Sequence, residues 1–258
     1  MFIQSFGSSS AGNSYLITDN NDINESIVID LGINIIKNIE YLSTLLKVKY
    51  VFISHEHSDH TKYLKTFLKF NIKTKVIINK ECFNELARYD SFYERIKHRF
   101  IFLNYGEYKE IDFLTVWAFK CNHNSAANNG YVINFINKNK KILFFTDCGS
   151  LDLKQFKNIN FKNINAYLIE SNHQEKNPSN IKEDIQQSKW GHFSFKQSAE
   201  FIDWVKMKIK NNYQEIKPLF VLLHTSYTYE KQLKELDKNL NVDFVRLERI
   251  VPTLIKLN

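Results

Sequence analysis

The stretch "FISHEHSDHT", residues 52–61, gathers three of the chain's eight histidines and an aspartate within six positions. Imidazole nitrogens and carboxylate oxygens are the donors that suit Zn, Mn or Fe. In an extended segment His55 and His57 project to one side. Asp59 and His60 then open the following helical stretch and point back over the same space. His-x-His-x-Asp-His supplies parts of two adjacent metal sites, more than one loop can complete. Further donors are expected at other strand ends. His123 follows "TVWAFKC", Asp147 follows "ILFFT" and His224 follows "LFVLL". Each comes just past an apolar run, as the cluster does. The carboxyl ends of strands are where α/β sheets commonly bind ligands. The expected metal ligands are therefore His55, His57, Asp59, His60, His123, Asp147 and His224.

The elements that position these groups read as an alternation. Strands are expected over 2–6, 14–18 and 26–30, then a helix near 34–47, where Ile35, Ile36, Ile39, Leu42 and Leu46 recur at helical spacing. A buried strand over 50–54 leads into the cluster. Helices follow over 60–70 and 80–89, around a strand over 75–79. The middle of the chain is rich in strands, over 99–103, 111–119, 130–136 and 141–147. A strand over 166–171, a helix over 194–211 capped by Ser194, a strand over 219–224, a helix over 229–240 and β structure over 242–250 complete the chain. Each half has strands first and helices later, which two sheets with helices on their outer faces accommodate.

The totals set the class. With 258 residues, 43% hydrophobic and 24% charged, the chain reads as one globular domain, 1–258, large enough for a full core. No apolar run reaches the roughly 18 residues of a membrane span. The start, "MFIQSFGSSSAGNSYLI", shows neither a basic leader region nor an apolar one, so a cytoplasmic location is expected. Cys82, Cys121 and Cys148 form no C-x-x-C pair and read as reduced thiols. A net charge of +7 biases the chain toward anionic partners, although its lysines are scattered.

The pattern resembles the metallo-β-lactamase superfamily over about residues 3–250. Asp30 in "VIDLG" resembles its first motif, "HEHSDH" the second, "NHN" the third, "TDCG" the fourth and "LLHTS" the last. The resemblance implies an α/β fold, the αβ/βα sandwich of two mixed β-sheets flanked by helices, and two divalent ions, Zn or Mn. In the implied arrangement His55, His57 and His123 hold one ion, Asp59, His60 and His224 the other, and Asp147 bridges. "LIESNH" followed by "GHFSFKQSAEF" resembles the RNase Z-like phosphodiesterases. With "GSSSAGNSYLI" it resembles the YycJ/WalJ-type group, thought to be DNA exonucleases. By that similarity His192 contacts the scissile phosphate or protonates the leaving group, and Asp59 orients the attacking hydroxide. Asp30, Asn13, Glu170, His173 and Ser194 stand behind the ligands or contact substrate.

The implied activity is hydrolysis of phosphodiesters in DNA or RNA. The segment "HTSYTYEKQ" departs from the basic, Asn-rich continuation of the YycJ-like group. Cyclic-nucleotide hydrolysis, as in anti-Pycsar enzymes of the same fold, is therefore a second reading. Thioester or lactone hydrolysis, and a non-catalytic binding protein, are the others. Expected partners are a nucleic acid or cyclic nucleotide, no membrane, and a second copy in a homodimer, which is common in the superfamily. The polar segment 174–190 reads as a lid or dimer contact.

Overall fold

The computed structural model describes all residues except 20–21, 162, 176–180, 211–216, 239–241, 248–251 and 258. Its residues fall into two compact units, Met1–Tyr105 with Ser125–Asn129 and Glu248–Asn258, and Gly106–Asn124 with Gly130–Leu247. Each unit contains one seven-stranded mixed sheet with helices, the expected α/β architecture.

The first sheet comprises β1 (Phe2–Ser9), β2 (Gly12–Thr18), β3 (Ile27–Ile29), β4 (Tyr50–Phe52), β5 (Lys75–Ile78), β6 (Phe100–Phe102) and the chain's last strand, β14 (Thr253–Lys256). Its order is β14-β1-β2-β3-β4-β5-β6. The pairs from β14 to β3 are antiparallel and those from β3 to β6 parallel. The parallel strands are short and almost wholly apolar, as strands covered on both faces must be. Val28, Val51, Val76 and Ile78 are buried with Leu64, Phe67 and Phe83 from the helices α3 (Leu64–Phe70) and α4 (Lys80–Tyr89). Asn79 caps α4 by accepting the Glu81 N–H.

The second sheet runs β13-β12-β11-β10-β9-β8-β7. Its strands are β7 (Tyr108–Ile111), β8 (Leu114–Lys120), β9 (Asn129–Phe135), β10 (Lys140–Phe145), β11 (Ile164–Glu170), β12 (Leu219–Leu223) and β13 (Phe244–Arg246). Strands β10 to β13 are parallel. The helix α7 (Phe195–Lys210) turns Phe201, Ile202 and Val205 into a core with Phe145, Phe156 and Tyr167. Tyr167 stacks on Phe220 at 5.0 Å.

Three expectations change. Residues 34–47 do not form one helix but two short 3-10 turns and a single α turn, α1 (Leu42–Leu45). Asn38 breaks it: its backbone is extended and its amide donates to the Ile35 carbonyl, the local competition that disfavours Asn within helices. The apolar spacing misled, since Ile39 is 84% exposed. Residues 111–119 are a hairpin rather than one strand, with Ile111 opposite Leu114 and Asp112 left-handed at φ 54°. The final β structure is β13 alone, then β14, which was not expected; residues 248–250 of the expected strand lie outside the described residues. So do 211 of the expected 194–211 helix, 239–240 of the expected 229–240 helix, and 176–180, with Pro178, of the polar segment. The rest of that segment carries the helix α6 (Ile181–Gln187). The three cysteines are free and buried. No helix among the described residues is long and apolar enough to cross a membrane.

One buried ion pair ties the second unit together. The Arg246 guanidinium grips both oxygens of Asp237, at the end of the helix α8 (Glu230–Asp237), at 2.5 and 2.7 Å. It also donates to the Ser171 carbonyl and hydroxyl and to the Thr225 hydroxyl at 2.8–2.9 Å. These residues directly follow Glu170 and His224. Both charged side chains are only 5% exposed. Removing one partner strands the other charge in a poorly solvated place. Asp237→Ala should lower the unfolding free energy by about 3–5 kcal/mol in urea titrations; a loss below about 1 kcal/mol, the scale of an exposed pair, would show that Arg246 finds a substitute.

Candidate metal centre

In the first unit the strand ends of β3 and β4 build a tight polar knot. Asp30 follows β3, is fully buried, and has left-handed backbone at φ 56°. The Ser54 N–H and hydroxyl donate to it at 2.8–3.1 Å. The Nδ1 of His60 lies 2.7 Å from its other oxygen. Ser54 also reaches His55 Nδ1 at 3.0 Å. A carboxylate on the Nδ1 of His60 leaves Nε2 as the outward donor, the usual arrangement behind a metal-binding imidazole. That Nε2 lies 3.3 Å from an Asp59 oxygen. His57 precedes and Asp59 and His60 lie within a single helical turn, α2 (Ser58–Thr61). The rings of His55 and His57 approach to 4.6 Å, and those of His55 and His60 to 4.2 Å. The structure thus brings His55, His57, Asp59 and His60 together and places Asp30 directly behind them.

Two backbone features hold the knot. Gly32 lies so close to α2 that a Cβ there would stand 1.7 Å from the Asp59 carbonyl oxygen. Asn13, on β2, donates to the Ser9 carbonyl at 2.9 Å and reaches His60 Nε2 at 3.1 Å and the Asp59 carboxylate at 3.4 Å. Its own oxygen accepts the Tyr15 hydroxyl at 3.3 Å. Asn13 therefore steadies Asp59 and His60 from the side.

The second unit carries the other donors on β10, β11, β12 and the loops beside them. Asp147 stands two residues past the end of β10 and His224 directly follows β12, both left-handed, at φ 49° and 53°. His224 Nδ1 lies 2.7 Å from Asp147 Oδ1 and 3.2 Å from Glu170 Oε1. His123 donates through Nδ1 to the Gly191 carbonyl at 3.0 Å, and its Nε2 stands 3.6 Å from Asp147. Glu170 is fully buried and saturated. Its Oε2 accepts the N–H groups of Cys148 and Phe193 at 2.7 and 3.0 Å, and its Oε1 faces His192 Nδ1 at 2.7 Å. Asp147, Glu170, His192 and His224 together form a group whose candidate ligand atoms all lie within 4.8 Å of one another.

His192 is 22% exposed at its side chain, unlike Glu170 behind it. His173, 1% exposed, works from the interior: its Nε2 meets the His192 carbonyl at 3.2 Å, and burial lowers its pKa. Ser194 caps α7 in a reciprocal box. Its hydroxyl accepts the Gln197 N–H at 3.1 Å, and the Gln197 side chain accepts the Ser194 N–H at 2.8 Å.

Sequence reasoning missed Ser54, which links Asp30 to two histidines, and the Gly191 carbonyl, which orients His123. It also missed the contact of Gly149 with Gly191, where a Cβ would meet the Gly191 nitrogen at 2.5 Å. The signal available was scarcity: in a chain with seven glycines, three adjoin these motifs.

The donor chemistry fits divalent cations. Imidazoles with one nitrogen fixed by a carboxylate or carbonyl, beside buried carboxylates, are what such ions require. Histidine and aspartate clusters of this kind fit a dinuclear metal site.

Residues 26–211 match the family described as beta-lactamase superfamily domain. The fold is similar to that of the metallo-beta-lactamase fold protein YhfI from Bacillus subtilis, with a TM-score of 0.68 at 12% identity over 98% of each chain. Human tRNase Z, short form, follows at 0.64 and 12% identity over 100% of each. A diphosphatase of the PhnP family scores 0.64 at 11% identity over 100% of this chain and 99% of its own. No curated protein matches the sequence significantly.

The protonation of the second unit gives a test. Burial works against charge on both His224 and Glu170, but each is overridden by the other and by neighbours. Asp147 and Glu170 push His224 up to about 10, while His192 and His224 hold Glu170 down at about 2. A raised imidazole stabilises the fold fully below its ordinary 6.5 and loses that contribution as pH climbs toward about 10. The lowered carboxyl loses its contribution as pH falls from its ordinary 4.5 toward about 2. In chelator-treated protein the urea midpoint should therefore fall between pH 6.5 and 10. His224→Gln should flatten that slope; an unchanged slope in the variant would assign it elsewhere.

Proposed function

The chain belongs to the beta-lactamase superfamily, and from that premise we propose that it is a two-metal phosphodiester hydrolase, a nuclease of the YycJ-like kind acting on DNA or RNA. The family match, 26–211, runs through both units, which supports reading 1–258 as a single domain. The resemblance assigns these donors to two divalent ions: His55, His57 and His123 would hold one and Asp59, His60 and His224 the other, with Asp147 serving both. Imidazole with carboxylate suits Zn or Mn.

The observation that carries phosphodiester chemistry is the Glu170–His192 pair. Its 2.7 Å contact fixes the ring through Nδ1, and Glu170 and Asp147 raise the His192 pKa against the cost of burial. The remaining nitrogen, on a partly exposed ring, is placed to carry a proton. Ester cleavage at phosphorus needs such an acid for the departing oxygen. Two relatives by fold, a tRNase Z and a diphosphatase, act on phosphate esters or anhydrides by name, which is consistent with this reading.

Divalent ions held by these residues would supply an activated water and positive charge against the phosphoryl oxygens. Around that chemistry each side chain has a task. Asp59, 20% exposed at its side chain, orients the attacking water. Asp30 and Ser54 lock His60 and His55. Glu170 favours the protonated form of His192 and aims the ring, and His192 Nε2 gives its proton to the leaving oxygen. His173 and Ser194 hold the backbone that carries His192.

The decisive assay offers protein prepared with Mn²⁺ or Zn²⁺ linear 5′-phosphorylated DNA and, in parallel, 3′,5′-cyclic mononucleotides. Nucleotides should be released from DNA. His192→Ala should cut kcat by about 10²–10⁴-fold while bound metal, measured by elemental analysis, stays unchanged. Cyclic nucleotides opened with DNA intact would move the substrate to that second class. Turnover of thioesters or lactones alone, indifferent to His192→Ala, would sink the phosphodiesterase reading. Asp30→Ala should weaken metal affinity by about 10–100-fold in chelator competition.

A further inference from the structure

The three tryptophans of the chain have different surroundings. Trp117 and Trp204 pack on the aromatic core of the second unit, against Phe119, Phe156 and Phe161. Trp190 does not; it is 44% exposed and stands two residues before His192. Its backbone is nonetheless fixed. Three successive carbonyls are tied to the segments that carry the metal-ligand candidates: Lys189 accepts the Ser150 hydroxyl at 3.3 Å, Trp190 the Asn124 N–H at 3.1 Å, and Gly191 the His123 Nδ1 at 3.0 Å. The turn is closed from within by the Gly191 N–H on the Ser188 carbonyl and the His192 N–H on the Gln186 carbonyl, both at 2.9 Å. A Cβ at Gly191 would stand 2.2 Å from that Gln186 oxygen, so the backbone has no room to shift.

A rigid backbone that holds a large indole in water two residues before His192 does not serve the core. Tyr89, Tyr108 and Tyr227 are more exposed, but Trp190 is the one tryptophan so exposed. The Lys189 ammonium lies 5.2 Å from the indole centroid, adding positive charge at the same place. A flat π surface with an adjacent cation matches a nucleobase and its phosphate, since every base has a stacking face and every nucleotide a negative charge. The Cα atoms of Trp190 and His192 are at most about 7 Å apart, a distance within the span of one nucleotide.

We infer that Trp190 is a stacking platform for the base next to the scissile phosphate, with Lys189 attracting that nucleotide's charge. This rests on the phosphodiesterase reading and deepens it: the substrate is recognised through a base as well as through phosphate.

The test compares a nucleoside 5′-monophosphate with ribose 5-phosphate, which has the same phosphate and no base. Dissociation constants for both are measured on Mn²⁺-loaded protein. The wild type should prefer the nucleotide by about tenfold to a hundredfold. Trp190→Ala should abolish the preference and Trp190→Phe should keep most of it. Lys189→Met should weaken both ligands alike. Tyr108→Ala, removing an aromatic 62% exposed on β7, should change nothing. Equal binding of the two ligands by the wild type, or a preference that survives Trp190→Ala, would overturn the platform. Cleavage of DNA by the same preparations separates the two ideas. Base preference through Trp190 without any phosphodiester cleavage would uphold the platform and refute the activity. Cleavage with KM unmoved in Trp190→Ala would uphold the activity and refute the platform.

Discussion

A carboxylate taken out of water is costly unless its lone pairs are engaged, and each unit is organised around one that is. Asp30 collects the Ser54 N–H, the Ser54 hydroxyl and His60 Nδ1. Glu170 collects two backbone N–H groups and two imidazoles. Neither acid has capacity left for substrate. Their work is to decide which nitrogen of each ring faces outward, and so what the exposed histidines can do. Remove either acid and the rings lose both orientation and tautomer.

The two units reach this arrangement by the same local route. A strand ends, an aspartate one or two residues beyond it turns left-handed, and a glycine follows two residues later: Ile29-Asp30-Leu31-Gly32 in one, Thr146-Asp147-Cys148-Gly149 in the other. Six non-glycine residues among those described have positive φ. Asp112, Asn139 and Asn163 lie in turns and short connections; Asp30, Asp147 and His224 are candidate site residues near strand ends. The left-handed turn bends the chain away at once, so the side chain stays at the sheet edge. The glycine then lets a neighbouring backbone approach, α2 in one case and the Gly191 turn in the other.

Much of this was legible in the residues. Fully apolar runs such as "YVF" and "ILFF" marked buried parallel strands, because strands covered on both faces have no polar side to show. The polar group just beyond each run marked a strand end, and the histidine cluster pointed to cation binding, which the side-chain groups found there fit. The α4 helix was readable with its bounds, Lys80–Tyr89. Residues 34–47 were not, because apolar periodicity there coincides with Asn38, whose side chain outcompetes the helix for the Ile35 carbonyl. The hairpin at Asp112 was hidden by a run that stays apolar on both sides of the turn. Ser54 and the Gly191 carbonyl were invisible for a different reason: one is a common small residue and the other a backbone atom, and only three-dimensional placement gives either a role.

Left-handed backbone also bears on how such a chain would drift. An aspartate or histidine held at positive φ costs about 1–3 kcal/mol, which glycine would relieve. At Asp30, Asp147 and His224 that backbone cost is set against the hydrogen bonds and ion pairs their side chains make, so an exchange to glycine relieves strain and strands a buried partner at the same time. Each member is therefore held in place by the groups it satisfies: it is lost cheaply only when its partners are lost with it.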